Sequence, residues 1–230
     1  MKVGLIADIH GNAPALKMVL SALEGRVDKT LFLGDITGYY AFINECADMW
    51  DSKMIISVRG NHDEVLLQCI EHKKPPDSSY RKQYGSGLER SWKSLSERAR
   101  LLVQSWPIQQ HLTLSSVSIS LYHGSPWDPL EGRVYPDFND WHRFDTCEDD
   151  IILLGHTHYP LLKRWGEKLI VNPGSVGQPR DKSGVACYAE LDPASGEVAF
   201  QKVAYNARPI IQDTLRHDPD NHYLVGVLVR

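Results

Sequence analysis

The feature that most constrains this chain is a set of five short apolar runs, each ending in side chains that can bind a metal ion. The first run, residues 3–7, has the length of a β-strand and is followed by Asp8 and His10. In an extended segment residues i and i+2 share a face, so we expect these two side chains to point at the same object. The other runs end in further oxygen and nitrogen donors, which are Asp35, Asn61, His62, His123, His156 and His158.

The order of the runs predicts an α/β fold. Runs at 3–7, 31–33 and 54–58 are separated by segments with helical apolar spacing, and this β-α-β-α-β pattern favours a parallel sheet. Later runs predict a hairpin around Ser115-Ser116 and an antiparallel pair near the C-terminus. In open α/β sheets ligands bind beyond the carboxyl ends of the strands, so donors at five such ends can converge on one site.

The length of 230 residues fits one domain with an insertion. We expect this domain to span residues 1–205 and to be followed by a C-terminal tail at 206–230, whose sequence gives no clear structural signal. Residues 64–106 show helical spacing and interrupt the strand pattern. This inserted helical segment is either a cap beside the site or a long crossover within the core, and the sequence leaves both readings open.

Composition and charge exclude several classes of function. The hydrophobic content of 42% suffices for a full core, and the net charge of −4 gives no general attraction to membranes or nucleic acid, so a nucleic-acid partner is not expected. No apolar stretch reaches the length of a membrane span, and we expect no signal peptide because the first residues enter a strand without a charged-then-apolar pattern. Four widely spaced cysteines favour free thiols, and we therefore expect a reducing cytoplasm.

Seven of the donors are too many for one four-coordinate zinc ion, and they fit two divalent ions that share a carboxylate. We expect Asp35 to be shared because its strand should lie centrally. Mixed carboxylate, amide and imidazole donors favour Mn, Fe, Zn, Co or Ni over Mg or Ca. Two ions about 3.5–4 Å apart are a known device for displacement at phosphorus. The predicted ligands are Asp8, His10, Asp35, Asn61, His123, His156 and His158.

His62 is left over from this set. It follows the predicted ligand Asn61, so its side chain should lie near the ions, where a histidine can protonate a leaving alkoxide. Asp63 either orients His62 or caps the helix that follows, and the sequence does not separate the two roles. Asn12 and Arg180 are candidate phosphate contacts, with a surface charge after a proline turn as the alternative for Arg180.

These motifs, taken in order, resemble those of the calcineurin-like metallophosphoesterase superfamily. The block at 8–12 and the run Asn172-Pro173-Gly174-Ser175 further resemble its small bacterial and archaeal phosphodiesterase branch. The resemblance covers residues 2 to about 205 and implies a four-layer αββα sandwich with two mixed β-sheets. The motifs that carry it are Asp8-Ile9-His10, Gly34-Asp35, Gly60-Asn61-His62-Asp63, His123-Gly124 and Gly155-His156-Thr157-His158.

The resemblance also implies how the ligands are shared and what they do. One ion would take Asp8, His10, Asp35 and His158, and the other would take Asp35, Asn61, His123 and His156. A hydroxide bridging the two ions would attack phosphorus, with His62 as general acid. The resemblance and the donor set together favour manganese as the metal.

One departure from the family narrows the substrate. Protein phosphatases of the superfamily carry Asp-Arg-x-Gly shortly after Gly-Asp, whereas here Asp35 is followed by Ile36-Thr37-Gly38. Protein phosphatase activity is therefore not expected. The resemblance to the phosphodiesterase branch leads us to expect a phosphodiesterase acting on a small phosphate ester, which could be nucleotide-derived. A nucleotide or other phosphomonoesterase is the alternative, and a non-catalytic scaffold of the same fold is the alternative of another class. The oligomeric state stays open.

Overall fold

Two mixed five-stranded β-sheets pack face to face in the computed structural model, which describes residues 1–229. The first sheet has the strand order β10-β9-β1-β2-β3, and the second has the order β4-β5-β6-β8-β7. The strands of the first sheet are β1 (Val3–Ile6), β2 (Lys29–Leu33), β3 (Ile55–Val58), β9 (Ala186–Asp192) and β10 (Glu197–Val203). Those of the second are β4 (Gln109–Leu114), β5 (Val117–Tyr122), β6 (Ile151–Leu153), β7 (Pro160–Trp165) and β8 (Lys168–Pro173).

Each sheet has a parallel centre and antiparallel edges. The strands β1, β2 and β3 run parallel, as do β5, β6 and β8, while β9, β10, β4 and β7 pair antiparallel. The helices α1 (Ala13–Leu23) and α2 (Ile43–Asp48) cross over between the parallel strands of the first sheet. The predicted α/β class, the mixed sheets and both antiparallel pairs are confirmed, whereas the sequence reading did not include β7.

Alternating residues along the strands produce the layers. Leu5, Leu31 and Leu121 face the space between the sheets and belong to one fully buried apolar cluster. The alternate residues Ile6 and Phe32 face outward and pack against helices in a second cluster. The outer face of the second sheet is covered by a thinner layer, made of a loop and a 3₁₀-helix at Trp141–Thr146. Successive residues of a strand point to opposite faces. Both faces of these strands are apolar because one is covered by the other sheet and the other by the outer layer.

The segment at 64–106 contains both kinds of helix that its sequence allowed. The helices are α3 (Asn61–His72), α4 (Ser78–Tyr84), α5 (Gly87–Lys93) and α6 (Glu97–Gln104). Leu66, Leu88 and Val103 of α3, α5 and α6 are fully buried in the core. Helix α4 has no fully buried residue and lies beside the predicted site, where Tyr80 contacts His62. Only α4 therefore has the placement of a cap.

The C-terminal tail folds into two helices, α7 (Arg208–His217) and α8 (His222–Gly226). Ile210 and Leu224 pack on Tyr39 and Tyr40, and the Tyr40 hydroxyl donates a hydrogen bond to the carbonyl of Leu224 at 2.9 Å. No sequence pattern indicated these helices, because short amphipathic helices acquire their stability from the surface they cover. Within residues 1–229, no helix is both long and apolar enough to cross a membrane.

Candidate metal centre and pocket

All seven predicted ligands lie at one edge of the two sheets, just beyond the ends of five parallel strands. Asp8 and His10 follow β1, Asp35 follows β2 and Asn61 follows β3. The second sheet contributes His123 after β5, and His156 and His158 after β6. The face-to-face packing of the sheets brings these ends together, so the predicted convergence of donors is what the structure contains.

The reason that Asp8 and His10 converge differs from the one expected. Strand β1 ends at Ile6, and both residues have left-handed backbones, with φ of 53° and 52°. The expectation of an extended segment here is therefore wrong. Asp35, His156 and His158 are also left-handed, with φ of 64°, 65° and 63°. Such conformations cost about 1–2 kcal/mol each in residues other than glycine and cluster at functional sites.

Backbone hydrogen bonds hold this strained segment in place. The amide of Asp8 donates to the carbonyl of Gly34 at 3.0 Å, and the amide of His10 donates to that of Asp35 at 2.9 Å. Gly60 lies so close to Asp35 that a Cβ atom would stand 2.2 Å from its Oδ1 atom. A glycine is therefore required for the chain after β3 to pass beside the central carboxylate.

The first group of donors is Asp8, His10 and His158, whose ligand atoms lie within 4.8 Å of one another. The Nε2 atoms of His10 and His158 are 3.0 Å apart, and that of His158 is 3.4 Å from Oδ1 of Asp8. The Nδ1 atoms face the carbonyl oxygens of Thr37 and Gln178. Since a carbonyl only accepts, each Nδ1 carries the proton and the two Nε2 lone pairs face each other.

The second group is Asp35, His123 and His156, with Asn61 beside it. Nε2 of His123 lies 3.2 Å from Oδ2 of Asp35 and 3.0 Å from Oδ1 of Asn61, while its Nδ1 faces the carbonyl of Leu33 at 2.7 Å. Oδ2 of Asp35 is also 3.8 Å from Nε2 of His10, a member of the first group. Asp35 thus stands between the two groups, as a shared ligand must.

The donors fit metal ions because their buried polar atoms lack other partners. Both carboxylate oxygens of Asp8, Oδ2 of Asp35 and Nε2 of His156 are buried and accept no hydrogen bond from residues 1–229. Buried polar groups are almost always paired, and leaving one unpaired costs about 1–3 kcal/mol. A cation placed among these acceptors and the facing imidazole lone pairs would satisfy all of them. The set of oxygen and imidazole ligands suits a first-row divalent ion.

Burial sets the protonation of the site. It lowers the pKa of His10 to about 3 and that of His156 to about 2, so both rings are neutral near pH 7. Burial raises the pKa of Asp8 to about 8, with the Asp35 charge adding to the increase against the charge on His123. Burial opposes a charge on His123, but Asp35 and Asp8 raise its pKa to about 10. Asp8 and His123 therefore keep protons at positions where a bound cation would replace them.

The segment that follows β8 makes hydrogen bonds to Asp8 and His158 of the first group. The hydroxyl of Ser175 donates to the carbonyl of Asp8 at 2.7 Å, and the amide of Gly177 donates to the same atom at 3.0 Å. The carbonyl of Gln178 accepts from Nδ1 of His158 at 2.8 Å. Contacts of this kind fix the orientation and tautomer of metal ligands.

Asn12 is not placed at the pocket. It is fully buried, and its amide nitrogen donates to the carbonyl of Gly177 at 3.0 Å and to the hydroxyl of Tyr205 at 2.9 Å. Its Oδ1 atom caps helix α1 by accepting from the amide of Ala15 at 3.2 Å. The predicted phosphate contact at Asn12 is therefore replaced by a structural role, because every polar atom of the side chain is used within the protein.

Asp63 caps α3 and does not contact His62. Its carboxylate accepts from the backbone amides of Asp35 at 2.8 Å, Gly60 at 3.0 Å and Thr37 at 3.2 Å. The sequence had left capping and orientation of His62 open, and the structure selects capping. His62 is 4% exposed and pairs through Nδ1 with the hydroxyl of Tyr80. Its ring lies beside His10 and Asp35, and the three residues offer ligand atoms within 4.8 Å of one another.

A pocket of about 390 Å³ opens above the donors, with His62, Asn61, His156 and His158 in its floor. Its sides combine two arginines with four tyrosines. The guanidinium of Arg180 donates to the hydroxyl of Tyr39 at 3.3 Å, and its Nε atom is buried with no partner among the residues described. Gln83 also lines the pocket, and the arginines and tyrosines, called here the pocket wall, are Tyr39, Tyr84, Arg133, Tyr135, Arg180 and Tyr223.

Most residues of the pocket wall could not be identified from the sequence. Tyr39 stands four residues after Asp35, so its nearness to a motif was a usable signal. Tyr84 comes from α4, Arg133 and Tyr135 come from the loop after β5, and Tyr223 comes from α8. No pattern in the sequence links these distant segments to the site. Arg180 was predicted, and the structure places it in this wall.

The comparisons with known proteins agree with this arrangement. The family model of the calcineurin-like phosphoesterase superfamily domain matches residues 1–195. An uncharacterised protein of Methanocaldococcus jannaschii is 30% identical in an alignment of 234 positions, and the alignment covers 94% of this chain and 92% of that protein. The phosphodiesterase YfcE of Escherichia coli is 26% identical in an alignment of 208 positions, which covers 84% of this chain and 88% of YfcE.

A solved structure shows that the likeness extends over almost the whole chain. The crystal structure of a metallophosphoesterase from Sphaerobacter thermophilus matches with a TM-score of 0.78 and 26% identity. The match covers 98% of this chain and 99% of the other. A fold shared at this coverage includes most of the C-terminal helices, which the family model does not reach.

Proposed function

This chain belongs to the calcineurin-like phosphoesterase superfamily, and we propose that it is a metal-dependent phosphodiesterase acting on small phosphate esters. The observation that carries the proposal is the position of the unpaired donors. Buried acceptors of Asp8, Asp35 and His156 lie beneath a pocket whose wall contains Arg180 and Arg133. Cations below and guanidinium groups at the side make a site for an anionic tetrahedral group.

We propose two divalent ions in this site, with manganese favoured. Asp8, His10, Asp35 and His158 would hold one ion, and Asp35, Asn61, His123 and His156 would hold the other, in line with the two groups of donors that lie on either side of Asp35. When bound, the ions would supply positive charge that stabilises the transition state and activates water for attack at phosphorus. Asp35 would belong to both sets of ligands.

The residues of the chain supply orientation and a proton. Arg180 binds a non-bridging oxygen of the phosphate, since its unpaired Nε atom is available to an acceptor. His62 donates a proton to the oxygen of the leaving group, which therefore departs as a neutral alcohol instead of an alkoxide. The tyrosines of the pocket wall surround the ester substituents and reduce the access of bulk water.

Similarity to YfcE favours a diester, and the aromatic wall favours a nucleotide-derived one, because bases stack on tyrosine rings. A phosphomonoesterase would use the same metal ligands, so the choice between a diester and a monoester depends on the pocket wall. A scaffold without activity is disfavoured, because all seven donors are present and placed together. The four free cysteines support the expectation of a reducing cytoplasm.

The proposal is tested with purified protein that has been stripped of metal and reconstituted with manganese, iron, zinc, cobalt or nickel. Each form is assayed against a panel of phosphodiesters and phosphomonoesters that includes cyclic and linear nucleotides. We expect manganese-dependent turnover, with the best diester exceeding every unactivated monoester in kcat/KM. Faster turnover of a nucleotide monoester would support the phosphomonoesterase, and the absence of turnover with any metal would support the scaffold.

A further inference from the structure

His62, the general acid proposed for this site, makes a side-chain hydrogen bond to a residue that no sequence motif indicated. Nδ1 of His62 pairs with the hydroxyl of Tyr80, a residue 18 positions further along the chain. The ring of Tyr80 meets that of His62 edge on, with centroids 5.4 Å apart. His62 is also fixed through its backbone, because its amide donates to Oδ1 of Asp35 at 2.9 Å. Both the backbone and one ring nitrogen of His62 are therefore engaged.

The neighbouring carboxylate does not compete for this role. Asp63 accepts from three backbone amides, and its two oxygens are committed to Asp35, Thr37 and Gly60. The carboxylate of Asp35 accepts from the backbone of His62, while its other oxygen faces His123. Among the described residues, the hydroxyl of Tyr80 is the polar side-chain group within hydrogen-bond distance of the imidazole of His62.

The local structure of α4 delivers Tyr80 to this position. Asp77 caps the helix, and its Oδ1 atom accepts from the amides of Ser79 at 2.8 Å and Tyr80 at 3.1 Å. One turn later Tyr84 packs edge on against His62, with centroids 4.7 Å apart. The rest of α4 is exposed or only partly buried. The two tyrosines are thus what attaches this short helix to the site.

We propose that Tyr80 is a positioning residue for His62, an inference that rests on the proposed phosphodiesterase function. Its hydroxyl accepts from the Nδ1 proton of the protonated ring, which leaves Nε2 as the nitrogen that faces the ester. The Nε2 proton passes to the leaving oxygen as the bond from phosphorus to that oxygen breaks, and the attacking water forms the new bond to phosphorus and releases one proton to solvent. The Nδ1 proton stays on the ring, and Nε2 regains a proton from solvent.

The first test compares Tyr80→Phe with Tyr84→Phe in the metal-loaded enzyme. Tyr80→Phe should lower kcat for alkyl diesters by roughly three- to tenfold, the size expected for one hydrogen bond, and should change nitrophenyl diesters much less. Tyr84→Phe removes a hydroxyl from the same helix and should affect both ester classes by the same factor. In a His62→Ala background, Tyr80→Phe should cause no further loss in kcat. Equal losses for both classes, or additive losses in the double variant, would overturn the proposal.

A second readout needs no activity. Imidazole nitrogen signals of His62 are recorded by NMR in the metal-free protein and in both tyrosine variants. Tyr80→Phe should shift the Nδ1 signal of His62, because its hydrogen-bond partner is gone, while Tyr84→Phe should leave that signal in place. An unchanged signal in Tyr80→Phe sinks the inference even if the enzyme proves active. Lack of turnover in the wild type together with a shifted signal would refute the proposed function and leave the contact established.

Discussion

The metal floor and the pocket wall of this protein are built in opposite ways. The floor, made of the seven predicted ligands, comes from the ends of five parallel strands, and six of its residues are buried. The wall combines residues from a turn, a short helix, a long loop and the C-terminal tail, and Arg133 and Tyr223 are exposed. Floor residues follow their strands directly, whereas wall residues depend on how remote segments pack.

The difference teaches which part of the site controls which property. Left-handed backbones and buried carbonyl contacts leave the floor little freedom, so it can hold ions in one geometry. The wall stands on partly exposed segments that can change without disturbing the sheets. We therefore expect substitutions in the floor to remove the chemistry, and substitutions in the wall to change which ester is preferred. Four measurements test this division, from the largest expected effect to the smallest.

The shared carboxylate should give the largest effect. Asp35→Asn is expected to lower kcat/KM by about 10⁴-fold or more, because losing both ions removes several kcal/mol of stabilisation at each of two positions. Asp8→Asn should weaken mainly one ion, and Asp137→Asn in an exposed loop should weaken none. Elemental analysis of metal per chain decides the matter. If Asp35→Asn kept both ions and full activity, the shared position would have been assigned to the wrong residue.

His62 should separate proton transfer from metal binding. His62→Ala should lower kcat/KM for alkyl esters by about 10²- to 10⁴-fold, the usual contribution of general acid catalysis, and should retain the ions. A nitrophenolate leaves without a proton, so the loss for nitrophenyl esters should be far smaller. The measurement is kcat/KM across leaving groups of graded pKa. A parallel loss for good and poor leaving groups would remove the acid role, and loss of an ion would make His62 a ligand.

The free energy of unfolding of the metal-free protein should depend on pH because of the ligands in its floor. The folded-state pKa values of Asp8, about 8, and His123, about 10, lie above their ordinary values, so the folded chain keeps protons that the unfolded chain has released. Stability should then fall as pH rises from 7 to 8.5, by about 1.4 kcal/mol per pH unit for each net proton. His10 and His156 are neutral in the folded state, and the small protonated fraction that they keep in the unfolded state near pH 7 offsets only a minor part of this fall.

Denaturation of chelator-treated protein across this pH range measures the effect, with manganese-loaded protein as the control. The loaded protein should show a smaller fall, because ions replace the protons on the same ligands. A metal-free protein whose stability stays level or rises between pH 7 and 8.5 would contradict the assignment of retained protons to the floor.

The pocket wall should give the smallest effect and the most selective one. Tyr223, at 41% exposure, lies in the wall, while Leu215 of the same tail, at 52% exposure, does not line the pocket. Tyr223→Ala should change the ratio of kcat/KM between nucleotide and alkyl diesters by about three- to tenfold, since one stacked ring is worth roughly 1 kcal/mol. Leu215→Ala should leave the ratio unchanged. A loss of metal or of all activity in Tyr223→Ala would erase the distinction between floor and wall.

Prediction from the sequence reached the floor and largely missed the wall. Asp8, His10, Asp35 and the four donors after them could be found because each directly follows an apolar run, and parallel strands end at one edge. Tyr80, Tyr223 and Arg133 could not be found, since their segments carry no periodic signal that points to the site. Asn12 lies beside a motif, as a substrate contact would, but its side-chain amide and carbonyl make hydrogen bonds within the fold that only the tertiary structure shows.

The sequence by itself determined the parallel β-α-β-α-β unit of the first sheet, the seven donors and the family, because these depend on local pattern and on residue types at short spacing. Tertiary structure alone decided three other matters. It assigned Asp63 to capping, placed Tyr80 on His62, and folded the tail into a wall of the pocket. Each of these depends on contacts between segments far apart in the chain, and such contacts arise only when the sheets and helices have packed.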